Sequence, residues 1–228
     1  VYVESEFYYV SQATGDDTTT CGPIDQPCKT IGQGAARAYD AGKSDIRVAS
    51  GSYPRFAVSN GISVHGSRNE SASWAYNAAS PSFIGGSETV GEGMRVAVTA
   101  KNVNLPTVIE DVTVKPGAVV NTQDEIPAQV GVLVDPSSGL TLRNIVVDNG
   151  TATAGVGTGL NPTGVLAKSG SVLTIRNSTI DSGAPRTPFD ADDHANRSAY
   201  GVRALSGSKV VIDGGKVTSQ SGLAGVNG

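Results

Sequence analysis

Three stretches of the sequence align on one another without a gap through their first part: GVLVDPSSGLTLRNIVVDNG from Gly131, GVLAKSGSVLTIRNSTIDSG from Gly164 and GVRALSGSKVVIDGGKVTSQ from Gly201. Their starts lie 33 and 37 residues apart. Counting from the opening glycine, positions one and three are small and apolar: Val132 and Val134, Val165 and Ala167, Val202 and Ala204. The position between them is Leu133, Leu166 or Arg203, so it tolerates a charge and is expected to face outward. Positions nine and eleven repeat the alternation with Leu140 and Leu142, Leu173 and Ile175, Val210 and Ile212, and a third apolar site follows at Val147, Ile180 and Val217. A period of two over so few residues, rich in β-branched side chains, describes short strands with one buried face. Such strands cannot bury that face alone. Stacking one repeat on the next buries a continuous column and pairs each backbone with the coils above and below, at a spacing of about 4.8 Å.

Between the second and third strands stands Asn144, Asn177 or Gly214, residue types that accept a left-handed backbone. Asn144 and Asn177 are expected to form a stacked, inward structural ladder. An earlier coil is visible at Thr107 to Val114, which matches Leu140 to Val147 at an offset of 33. Phe56 to Val58 and Ile62 to Val64 read as strands of an irregular first coil, whereas the Gly/Ser-rich stretch from Gly66 to Gly93 shows no assignable period. Two insertions, Thr151 to Thr163 and Ala184 to Tyr200, fall at the same point of the repeat and project from one side of the stack.

The first 45 residues differ. A strand candidate covers Val1 to Val10, and Thr30 is placed to cap a short helix carrying Ile31, Ala35, Ala38 and Tyr39 and ending at Gly42. Cys21 and Cys28 enclose Gly-Pro-Ile-Asp-Gln-Pro, a turn-rich loop that a disulfide could close for about 2 to 3 kcal/mol, with two free thiols as the alternative. The segment from 1 to 45 therefore reads as strand, disulfide loop and capping helix, and 46 to 228 as one continuous run of coils.

These N-terminal motifs also carry a likeness. Tyr9-Val10-Ser11, Gly15-Asp16-Asp17, Gln26-Pro27-Cys28-Lys29-Thr30-Ile31 and Ile46-Arg47-Val48-Ala49-Ser50-Gly51-Ser52-Tyr53 resemble the opening of pectate-lyase-like right-handed β-helix proteins. Ala49-Ser50-Gly51 stands where that family more often has Ala-Pro-Gly. The resemblance implies an all-β fold, a right-handed parallel β-helix, and covers both enzymes acting on polysaccharides and non-enzymatic surface proteins, so it does not choose a function.

The composition limits the choice further. Only 5% of the 228 residues are aromatic, 29 are glycine, and the formal net charge is -4, which suits a narrow core and offers no basic stripe for nucleic acid. No apolar run is long enough to span a membrane. The two histidines, His65 and His194, stand in no HExxH or Gly-x-Ser-x-Gly motif, and Gly42-Lys43-Ser44 and Gly155-Val156-Gly157-Thr158-Gly159 lack the setting of a nucleotide loop. Asn69, Asn149, Asn177 and Asn196 begin Asn-x-Ser/Thr sequons, which arise readily by chance in this composition.

One acidic cluster remains, Asp190, Asp192 and Asp193 beside His194 in the second insertion. It reads first as a solvated loop and second as a Ca²⁺ site, with Arg186 or Arg197 as the base if the chain were a Ca²⁺-dependent polysaccharide lyase. The main expectation is a secreted or cell-surface scaffold with a structural, adhesive or self-assembling role; a polysaccharide lyase or carbohydrate-binding β-helix is the alternative. Its partners would be cell-surface polysaccharide or further copies of itself. Gly225-Val226 repeats the Gly-Val opening, which predicts either more chain or a covering partner at that end. Val1, Val3, Phe7, Tyr9 and Val226 would then be the contacts of a head-to-tail filament.

Overall fold

The computed structural model describes residues 6–86, 89–90, 94–116, 129–150, 162–183 and 199–219. The chain is a parallel β-solenoid whose coils have three faces. The first face stacks Phe7–Val10, Asp45–Ala49, Ser63–Asn69, Thr107–Glu110, Leu140–Arg143 and the leading halves of Val172–Asp181 and Lys209–Thr218. The second stacks Gly51–Tyr53, Ser82–Gly86, Val112–Pro116, Val146–Asp148 and the trailing halves of the same two long strands. Phe56–Ala57, Met94–Ala100, Gln129–Val134, Thr163–Ala167 and Tyr200–Ala204 make the third. Among the described residues only two short pairings are antiparallel, Ala75–Tyr76 against Arg68 and Asn69, and Thr89–Val90 against Met94 and Arg95.

The register is the one the repeat predicts. Leu140 lies beside Leu173 and Val210, Leu142 beside Ile175 and Ile212, and Val147 beside Ile180 and Val217. Ile46, Val64, Ile109, Leu142 and Ile175 form one buried column across five coils. The column opens at the last described coil, where Ile212 is 48% and Val217 40% exposed.

The opening glycine of each repeat has a steric cause. A side-chain carbon at Gly131, Gly164 or Gly201 would collide with Val147, Ile180 or Val217, the apolar residue that the second face sends into that corner. At the corner between the third and first faces a serine ladder replaces apolar packing: the Val103 N–H donates to Ser137 Oγ at 3.1 Å, Ser137 N–H to Ser171 Oγ at 3.2 Å, and Ser171 N–H to Ser208 Oγ at 3.0 Å. Each hydroxyl thus satisfies an amide of the coil before it.

The N-terminal end is closed by the helix Ile31–Asp40. Thr30 is its N-cap, accepting from the Gln33 N–H at 3.3 Å, and Asp17 in turn accepts from the Lys29 and Thr30 N–H groups. Ile31, Ala35 and Ala38 are buried in the core that also holds Val10, Ile46 and Val48. The Cys21–Cys28 disulfide is formed and both residues are buried.

One expectation needs correcting. The middle position of the third-face strand does point away from the central column, but it is not open to solvent in two of the three repeats: Leu133 is 5% and Leu166 8% exposed. With Met94, Val96 and Val130 they make a second apolar cluster, separate from the column. Arg203 alone is partly exposed, its guanidinium 4.7 Å from the centre of the Tyr200 ring. The described part of the first strand is Phe7–Val10, shorter than the candidate Val1 to Val10.

Candidate functional site

Strand alternation sends Ile46, Val64, Ile109, Leu142, Ile175 and Ile212 to the inner side, so their neighbours on the first face project outward. In register these are Arg47, His65, Glu110, Arg143, Arg176 and Asp213, one ionisable residue per coil. Cross-strand neighbours of opposite charge stabilise such a face, and here they are arranged around His65.

The His65 ring bridges two carboxylates. Nδ1 is 2.6 Å from Glu110 Oε1 and Nε2 is 2.8 Å from Asp45 Oδ1. Two carboxylate neighbours ask both nitrogens to donate, which is the charged form. Burial alone pulls the His65 pKa down, but the hydrogen bonds and charges of Glu110 and Asp45 outweigh it and the net shift is upward. Glu110 is held down to about 2, first by its hydrogen bond with His65 and then, against burial, by Arg143, whose Nε and Nη2 both reach Glu110 Oε2. Arg68 Nη2 stands 3.3 Å from Asp111 Oδ2 and 3.8 Å from Glu110 Oε1. Asp111 nevertheless has a raised pKa, because burial and the nearby Glu110 outweigh Arg68.

This geometry limits the chemistry. An imidazole with both nitrogens engaged is a poor proton acceptor for a substrate. Asp45 and Glu110 approach opposite edges of the ring, so the three cannot converge on one ion, and no set of three potential ligands does so among the described residues. The cluster is an electrostatic clasp between coils.

The face changes character along the solenoid. Near the N-terminus it is covered: the Arg47 guanidinium lies 3.9 Å from the Phe7 ring centre, Phe7 meets His65 edge-on at 6.2 Å, and Trp74 packs against Tyr9 at 4.8 Å. Glu70 of the excursion that carries Trp74 accepts from Ser11 and Thr14. Further along it opens. The runs Thr141-Leu142-Arg143-Asn144 and Thr174-Ile175-Arg176-Asn177 lie one above the other, with the Arg143 and Arg176 side chains 45% and 55% exposed. Arg176 Nε is 3.6 Å from Asp213.

Asn144 and Asn177 sit at the turn that follows, with φ of 51° and 47°, in line with Asp111 at 57° and Gly214 at 76°. Their side chains are exposed rather than inward, and Asn144 Nδ2 donates to Asp111 Oδ1 at 3.5 Å. Phe7 and Tyr9 lie on the first strand and are engaged within their own chain. Asp190, Asp192, Asp193, His194, Arg186 and Arg197, with Val1, Val3 and Val226, lie outside the described residues.

Comparison with protein families, curated proteins and solved structures finds no match. The functional reading therefore stands on the site.

Proposed function

We propose that the chain is an extracellular scaffold with an adhesive role, whose open first face binds an extended acidic polysaccharide running along the solenoid. The observation that carries this reading is the pair of identical Thr-x-Arg-Asn rungs at Thr141 to Asn144 and Thr174 to Asn177, in register on adjacent strands. Adjacent coils are about 4.8 Å apart, so the rungs offer two guanidinium groups and two amides at a regular step. A guanidinium carries five donors in a planar fork suited to carboxylate or sulfate. Arg143 spends Nε and Nη2 on Glu110 and Arg176 spends Nε on Asp213, which leaves each with donors for a ligand. The Cys21–Cys28 disulfide suits an oxidising compartment, and the motif likeness to pectate-lyase-like β-helices is consistent with a glycan partner.

Binding to immobilised polygalacturonate and to a sulfated glycan, with neutral dextran as control, tests the proposal. The acidic polymers should be retained at low salt and released as salt rises. Arg143→Ala with Arg176→Ala should weaken retention about tenfold or more while the fold is kept. Equal retention of dextran, or an unaffected double variant, would overturn the proposal. Steady formation of unsaturated products would replace it with a lyase.

A further inference from the structure

One carboxylate of the first face serves two cations at once. His65 Nδ1 lies 2.6 Å from Glu110 Oε1, while Arg143, in the first of the two rungs assigned to an acidic polysaccharide, reaches Glu110 Oε2 through Nε and Nη2. We propose that the proton on His65 regulates that site: the grip on an acidic polysaccharide is tight while the imidazole is charged and slackens when the proton leaves. The inference rests on the glycan-binding reading and adds its regulation.

Charge sets the direction of the effect. Around the ring, Asp45–Ala49 supplies Asp45 and Arg47, Ser63–Asn69 supplies Arg68, Thr107–Glu110 supplies Glu110 with Asp111 following it, and Leu140–Arg143 supplies Arg143. The first strand brings Phe7, an uncharged edge. The guanidinium groups of Arg47, Arg68 and Arg143 balance the carboxylates of Asp45, Glu110 and Asp111, so the imidazolium is the surplus positive charge of the cluster. His65 and Arg143 contact the same carboxylate, so a polyanion docked on Arg143 lies within about a Debye length of that surplus.

Loss of the proton also changes the hydrogen bonds. A neutral imidazole has one N–H for two carboxylates, and its bare nitrogen repels the oxygen it faces. With Nδ1 bare, Glu110 loses the donor on Oε1 and turns its full charge on Arg143. With Nε2 bare, Asp45 is the one left unpaired, and the surplus charge is gone all the same. The Glu110 side chain is largely buried, so water screens the change weakly and Arg143 has less charge to offer a ligand. Arg176 is paired instead with Asp213, at 3.6 Å, so the second rung keeps its hold and the loss of grip is partial. The upward shift of the His65 pKa sets the change above pH 6.5.

Affinity of the full chain for a sulfated oligosaccharide, whose own charge is constant over the range, should fall about three- to tenfold from about pH 5.5 to about pH 9 at low salt. His65→Gln should bind weakly and equally at both ends of that range. Glu110→Gln, which frees Arg143, should keep most of its grip at the alkaline end. Linkage demands the reverse effect in the unaltered protein: the oligosaccharide should raise the His65 pKa by about half to one pH unit, read from its imidazole NMR signals, with His194→Gln assigning them. No binding at either pH rejects the glycan reading, and this regulation with it. Binding that depends on Arg143 and Arg176 but ignores pH overturns the regulation alone. So does a pH dependence that survives His65→Gln, a Glu110→Gln variant that loses its grip as the wild type does, or a His65 pKa that the oligosaccharide leaves unmoved.

Discussion

His65 is the residue on which the ionic row turns, and its linkage to stability has a defined sign. Its folded pKa lies above the usual 6.5, so its contribution is fully present below pH 6.5 and is lost as pH rises through the raised value. Glu110, depressed from 4.5 to about 2, contributes above pH 4.5 and loses that contribution as pH falls towards 2. Asp111 works the other way, since its raised pKa makes ionisation a cost to the folded state. The cluster therefore supports the fold best between about pH 4.5 and 6.5. The melting temperature of the wild type should fall as pH is raised from that window towards 9, and His65→Gln should show a flatter profile over the same range. Parallel profiles would dissociate His65 from the pH dependence.

At the scale of a strand and its corner, the serine ladder makes the next prediction. Ser171→Ala removes the acceptor of the Ser137 N–H in a buried corner, at a cost of about 1 to 3 kcal/mol in denaturant unfolding. Ser138→Ala, whose exposed hydroxyl donates to Asn104 Oδ1 at 3.2 Å, should cost well under half of that. This ladder also shows where the sequence was legible and where it was not. Strand register could be read because Leu142, Ile175 and Ile212 keep one spacing from the opening glycine. The serines do not keep it: Ser137 is six residues after Gly131, but Ser171 and Ser208 are seven after Gly164 and Gly201. A one-residue slip inside a turn leaves the strands in phase while hiding the ladder from a gapless alignment. The Glu110, Arg143, Arg176 part of the charged row follows from the same offset of 33 and could have been extracted. His65 could not, because the excursion through Trp74 interrupts the period before the coil containing Glu110. Leu133 and Leu166 misled for another reason: a pattern of alternation reports which way a side chain points, not what lies over it.

For the whole molecule, position along the stack decides the cost of the same change. Leu142→Asp buries a carboxylate inside the column and should abolish the folded state, with a penalty of several kcal/mol. Ile212→Asp occupies the same place in the repeat but is half exposed, so the variant should fold, with a circular-dichroism melt close to wild type. If both melt alike, the column does not open where the structure opens it.

The corner serines have a kinetic consequence. Because Ser171 serves Ser137, and Ser208 serves Ser171, each coil receives a bond from the one that follows it. Removing a later coil strips an amide in the coil before it, whereas the helix seals the other terminus. Unravelling should accordingly be directional, like a zip with one fixed stop. Among these described strands, amide deuterium uptake should report it as a gradient, faster in Lys209–Thr218 than in Val172–Asp181 and slowest in Asp45–Ala49 beneath the helix, and a protease added under native conditions should reach Lys209–Thr218 before Asp45–Ala49.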